Sequence, residues 1–146
     1  MKRKFTIPLS YNPIDTDALA QVLHRYQDRH HDEIIEDFET QMKSITGATY
    51  AVGLNSGTSA IHLGLKALGV GENDYVIAST FTYVATINPI LYLQAIPVFV
   101  DSELSTWNMD PELLEQAITH CLSEKKKPKA IIVVHTYGMP DRKSVV

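Results

Sequence analysis

The segment Asn55-Ser56-Gly57-Thr58-Ser59-Ala60 gathers small and hydroxyl-bearing residues between a largely apolar run, Tyr50 to Leu54, and a helical pattern, Thr58 to Leu68. A strand, a tight turn and a helix start can cradle a phosphate. The amides of the first helical turn have no intrahelical acceptor, and the helix dipole adds partial positive charge. Gly57 permits close approach, Ser56 suits the cap, and the hydroxyls of Thr58 and Ser59 add donors. The same six residues also fit an ordinary capped helix, so the rest of the chain has to decide. Two more clusters follow predicted strands: Ser79-Thr80-Phe81-Thr82-Tyr83 and His135-Thr136-Tyr137-Gly138. In an open parallel sheet, ligands bind beyond the carboxyl ends of the strands, where all three stretches fall. Phosphate donors, an aromatic plate and a His/Tyr cluster on one rim suit a flat, phosphorylated, aromatic cofactor better than a bare nucleotide. No Gly-x-Gly-x-x-Gly follows a strand and no Gly-Lys-Ser/Thr loop occurs, so dinucleotide and P-loop readings fail.

The elements that must position these clusters are legible in the hydrophobic pattern. Ala18, Leu19, Val22, Leu23 and Tyr26 repeat at helical spacing, with Asp15, Thr16 or Asp17 available as cap. The charged stretch Asp28 to Glu33 reads as a break or exposed turn. Ile34, Ile35, Phe38, Met42 and Ile45 then mark a second amphipathic helix that Gly47 stops. From there strands and helices alternate: Tyr50–Leu54, a helix, Tyr75–Ala78, a helix over Thr82–Leu93, and Ile96–Val100. Asp110-Pro111 is a good helix start, and Leu113, Leu114, Ala117, Ile118 and Leu122 line one face of the helix that begins there. Ala130–Val134 is continuously apolar, as expected of a strand buried on both sides. Strand and helix in succession predict an α/β fold, a mostly parallel sheet with helices on both faces. Residues 1–32 are expected to form a helical segment ahead of the sheet-forming part, 33–146.

Composition narrows the classes of function. The chain has 146 residues, 45% of them hydrophobic, enough for a sizeable core. Its net charge of −4 argues against nucleic acid or an acidic membrane as main partner. No apolar run approaches membrane-spanning length, and no apolar stretch follows the basic Met1-Lys2-Arg3-Lys4, so a soluble cytoplasmic protein is expected. Cys121, the single cysteine, excludes an internal disulfide and falls on the apolar face of a predicted helix. His24, His30 and His31 form no spaced ligand set with Cys121, His62 is assigned to helix surface, and no metal site is expected. The run Glu124-Lys125-Lys126-Lys127-Pro128-Lys129 reads as a solvated loop, with a phosphate patch as the alternative.

Gly53 through Asp101 resembles the amino-terminal half of the DegT/DnrJ/StrS family of nucleotide-sugar aminotransferases, pyridoxal-phosphate enzymes of the aspartate-aminotransferase fold. Six blocks carry the likeness. They are Asn55 to Leu65, Gly69 to Asp74, Thr80 to Asn88, Ala95 to Asp101, Trp107 to Pro111, and Val134 to Gly138. Their order and spacing are far more specific than any one block. The resemblance implies a partial large domain of fold type I, with pyridoxal 5'-phosphate as cofactor. It places Gly57, Thr58 and Ser59 on the cofactor phosphate and the ring of Tyr83 on the pyridine ring. A flat apolar plate would fix the cofactor plane, which decides the bond that breaks; the other reading of Tyr83 is a core aromatic at a helix start. His135 could face the site or satisfy a buried backbone group. The implied partners are a nucleotide-sugar substrate, an amino-acid donor and a second copy in a homodimer.

The pattern also departs from the family. No lysine here matches the one that forms the Schiff base with the cofactor, and the acid that pairs with its ring nitrogen is unmatched too, so no residue is assigned a catalytic role. The chain is therefore expected to be inactive alone and to represent a truncated reading frame or a partial chain. The glycine-containing turn usual after the first helix is replaced by Tyr26-Gln27-Asp28-Arg29-His30-His31. The tail from Met139 to Val146 diverges from the family's acidic continuation. Two other readings stay open: a catalytically dead module that pairs with another polypeptide, and a sugar dehydratase of the same fold that uses histidine in place of lysine.

Overall fold

The computed structural model describes residues 14–139. The basic Met1–Lys4 and the tail after Met139 lie outside the described residues. The chain divides into two compact units, up to Gly53 and from Leu54 onward. The first holds α1 (Thr16–Tyr26) and α2 (His31–Thr46). Asp15 caps α1, its carboxylate accepting from the amides of Asp17 and Ala18 at 3.0 and 2.9 Å. The substituted turn ahead of α2 has its own staple: the Tyr26 hydroxyl donates to Asp37, and Arg25 reaches the same carboxylate at 3.4 Å. Gly47 ends α2 at φ 71°, a left-handed conformation that glycine adopts without a Cβ clash, and donates to Lys43 O at 2.9 Å.

The second unit begins with α3 (Gly57–Ala67), then β1 (Tyr75–Ser79), a 3-10 turn (Val84–Thr86), α4 (Asn88–Tyr92), β2 (Ile96–Val100), α5 (Pro111–Ser123), β3 (Ala130–Ile132) and a last 3-10 turn (Thr136–Gly138). The three strands form a parallel sheet in the order β2-β1-β3, with Ile77 opposite both Val98 and Ile131. Alternation along β1 assigns its side chains to two layers. Val76 and Ala78 pack with Leu65, Val70, Ile90 and Ala95 on the α3/α4 face. Ile77 packs with Val100, Met109 and Leu114 on the α5 face. Both faces of the sheet are thus covered, the arrangement the alternating pattern requires.

Three expectations are corrected. Tyr50–Leu54 has no regular secondary structure: the Gly53 amide donates to the Glu39 carboxylate at 2.8 Å instead of a strand ladder, and Tyr50 and Val52 are exposed. A largely apolar run is a strand only when a neighbour accepts its hydrogen bonds. The helix expected over Thr82–Leu93 is two short pieces, broken where Pro89 lacks an N–H to donate. β3 stops at Ile132 and is half-buried, with Val133 exposed. Its sequence suits a central strand, but among the described residues it pairs with β1 alone. Cys121 is buried, as its place in the apolar pattern implied.

Candidate active site

The connections leaving β1 and β2 go to opposite faces of the sheet, α4 on one and α5 on the other. Where successive connections diverge in this way, a crevice opens beyond the carboxyl ends of the strands. Thr80 and Asp101 meet at that point. The Thr80 amide donates to Val100 O at 2.9 Å and its hydroxyl to Asp101 Oδ1 at 2.8 Å. The Ser102 amide, then the Thr80 hydroxyl, hold the Asp101 carboxyl below its ordinary value, so it is an anion at neutral pH. Behind it, the hydroxyls of Ser79 and Ser102 are buried with no hydrogen-bond partner among the described residues.

The turn at the start of α3 is built by its cap. Ser56 Oγ accepts from the Ser59 amide at 3.1 Å and pairs with Ser59 Oγ at 2.9 Å. Ser59 Oγ in turn donates to Asn55 Oδ1 at 2.9 Å. The cap therefore occupies the Ser59 amide and pins its hydroxyl, while the amides of Gly57 and Thr58 have no acceptor among the described residues. A Cβ added at Gly57 would meet nothing within 4 Å, so the turn opens onto free space.

Tyr83 follows β1 on a short loop in which Thr82 Oγ1 and Thr86 Oγ1 lie 2.8 Å apart. Tyr83 is 79% exposed among the described residues. Tyr83 shares a cavity of about 350 Å³ with Phe81, Thr82, Val134, Thr136 and Tyr137. The loops after β1 and β3 therefore converge. His135 lies between two of these residues; it is exposed, and its carbonyl accepts from the Gly138 amide at 3.0 Å. The Gly57–Ser59 turn is not part of this lining; α3 approaches the region by packing on α4 and on the 3-10 turn after Tyr83.

Trp107 and Asn108, legible in the sequence only as part of one family block, complete the rim beside Phe81 and Tyr137. Phe81 stands 5.6 Å from the ring of Trp107 and 6.3 Å from that of Tyr137. Asn108, buried, donates from Nδ2 to Met139 O at 3.2 Å and accepts from the Thr136 amide at 3.2 Å, joining the loops after β2 and β3. The available signal was a lone tryptophan followed by asparagine just before a capped helix start. Nothing in the spacing said that the tryptophan would meet Phe81. Among the described residues no helix is long and apolar enough to cross a membrane.

Comparison with known proteins gives a consistent result. The DegT/DnrJ/EryC1/StrS aminotransferase family matches residues 12–143. EpsN of Bacillus subtilis is 48% identical over 105 residues, which are 72% of this chain and 27% of that protein. GDP-perosamine synthase of Escherichia coli O157:H7 is 44% identical over 106 residues, 73% of this chain and 28% of that one. Among solved structures, ntda from Bacillus subtilis with bound cofactor PMP superposes with a TM-score of 0.74 at 28% identity, covering 88% of this chain and 30% of that chain. The chain spans a little over a quarter of the length of the two curated relatives.

Proposed function

Because the chain belongs to the DegT/DnrJ/EryC1/StrS aminotransferase family, we propose that it is the amino-terminal part of an enzyme that transfers an amino group from an amino-acid donor to a keto carbon of a nucleotide-linked sugar. The cofactor of that reaction is pyridoxal 5'-phosphate. The observation that carries this reading onto the chain's own residues is the first turn of α3, where the cap takes the Ser59 amide, the Gly57 and Thr58 amides have no acceptor among the described residues, and a Cβ on Gly57 would meet nothing within 4 Å. Their donor chemistry fits a phosphate, with Thr58 Oγ1 beside them. Ser59 acts in the same turn through the cap, which fixes the geometry of the two free amides. Tyr83 supplies the plate against the cofactor ring, and His135 borders the site between Val134 and Thr136. When bound, the cofactor supplies an electron-withdrawing ring that stabilises negative charge beside the transferred nitrogen.

No lysine of this chain matches the family's anchoring lysine, so the chain alone holds and orients without completing transfer. A homodimer belongs to this reading as what the family resemblance implies. The cytoplasm, where a lone buried thiol such as Cys121 stays reduced, is the compartment it takes.

The test is a titration with pyridoxamine 5'-phosphate, which carries an amine in place of the aldehyde and does not react with surface lysines. Saturable binding is expected. Thr58→Ala and Tyr83→Ala should each weaken it about tenfold, the worth of one charge-assisted hydrogen bond or one stacked ring. A folded chain that does not bind, or binding indifferent to both substitutions, overturns the reading.

A further inference from the structure

Phe81, Trp107 and Tyr137 are large aromatic side chains that the fold leaves 41%, 55% and 81% exposed. They come from the loops after β1, β2 and β3, so three separate connections bring one ring each to the crevice at the carboxyl end of the sheet. Their planes are tilted, 51° between Phe81 and Trp107 and 56° between Phe81 and Tyr137. With Thr106, Thr136 and Met139 they frame a cavity of about 820 Å³. It adjoins the smaller Tyr83 cavity, because Phe81, Thr136 and Tyr137 line both.

The two outer rings stand on unfavourable backbone. Trp107 has φ 63° and Tyr137 φ 50°, left-handed conformations that bulky side chains avoid. Strain of this kind persists when the surroundings over-determine it, and such residues cluster at ligand sites. The surroundings here do so. Glu103 accepts at its carboxylate from the amides and hydroxyls of Ser105 and Thr106, and its own amide donates to Asn108 O at 3.0 Å. The Trp107 amide donates to Glu103 O at 3.1 Å, closing a rigid loop. The Asn108 side chain then bridges this loop to the one that presents Tyr137. The aromatic frame is thus set in place before any ligand arrives.

Volume and lining indicate what it would hold. About 820 Å³ falls in the range of small-molecule sites. Among the described residues no lysine or arginine lines it, and the three rings offer planar apolar faces. The Tyr83 cavity next door is the place of the cofactor ring. We propose that the cavity framed by Phe81, Trp107 and Tyr137 takes the nucleobase of the nucleotide-linked sugar, with the sugar directed toward Tyr83. This rests on the aminotransferase reading and adds to it a subsite for the substrate.

Trp107 is the only tryptophan in the sequence, so its emission reports on this cavity alone. The chain is titrated with GDP and with UDP, and with inorganic pyrophosphate as the anion without a base. Saturable quenching by at least one nucleotide and none by pyrophosphate is the expected result. Tyr137→Ala, which removes an exposed ring and spares the core, should weaken the nucleotide about tenfold, the usual worth of one stacked base. Equal quenching by pyrophosphate, no quenching by either nucleotide, or an unchanged affinity in Tyr137→Ala overturns the proposal. Pyridoxamine phosphate binding, followed by its own absorbance, separates the two readings. Cofactor binding without nucleotide binding removes the base subsite alone, and nucleotide binding without cofactor binding removes the cofactor reading alone.

Discussion

Asn108→Ala tests whether the rim of the crevice is held by one side chain. Asn108 is 2% exposed, and its side-chain amide hydrogen-bonds at 3.2 Å to Met139 O and from the Thr136 amide. Each is worth about 1 kcal/mol net, and because Thr136 is half-buried and Met139 exposed, water can re-satisfy both abandoned groups. Losing these two bonds alone costs about 2 kcal/mol, roughly a thirtyfold change in the folding equilibrium. Urea unfolding followed by far-ultraviolet circular dichroism should show a midpoint lower by about 1 M, given the usual slope for a domain of this size. Circular dichroism is preferred because Trp107 adjoins the substitution. Asn108→Asp sharpens the test. An ionised carboxylate still accepts from Thr136 but faces the Met139 carbonyl without a proton to donate, so this variant should be at least as unstable as Asn108→Ala at neutral pH. Below its pKa the acid can donate again, and the deficit against the parent chain measured at the same pH should shrink. An alanine variant within about 0.5 kcal/mol of the parent, the range of an uninvolved surface site, would refute the reasoning, as would an aspartate variant whose deficit ignores pH.

Three further outcomes follow from the same geometry. Ile77, fully buried at the centre of β1 and packed on the α5 face, should lose about 2–5 kcal/mol on substitution by alanine, read by the same urea assay. The Cys121 thiol, raised above its ordinary pKa by burial and then by the Glu124 charge, should stay inert to a thiol reagent in native buffer and react fully in urea. Glu103 is held down to about 2 from an ordinary 4.5 by the Ser105 hydroxyl first and the Thr106 hydroxyl second. A depressed carboxyl stabilises fully above its unfolded pKa and loses that contribution as pH falls through the folded one. The stability gap between the parent and Glu103→Gln should therefore be constant above about pH 5 and narrow between 4.5 and 2; a gap that widens on acidification contradicts the assignment.

The sequence by itself determined the local structure of this chain, because local structure follows from neighbours along the chain. Asp15 and Asp110 cap their helices as their positions require, Gly47 stops α2, and Ile96–Val100 is a strand to the residue. The alternation of elements specified a parallel sheet with both faces covered, and six spaced blocks identified the family before any contact was known. Tertiary structure alone decided what depends on partners distant in sequence. Among the described residues Tyr50–Leu54 has strand composition without a ladder, and Ala130–Val134 reads as central yet its strand has one neighbour, since no local pattern says where a hydrogen-bonding edge will lie. The same holds for the site. Gly57 could be singled out as a candidate by residue type and Tyr83 by the family resemblance, whereas the meeting of Phe81, Trp107 and Tyr137 across three loops, and the bridge of Asn108 between two of them, exist because parallel strands deliver every connection to one end of the sheet.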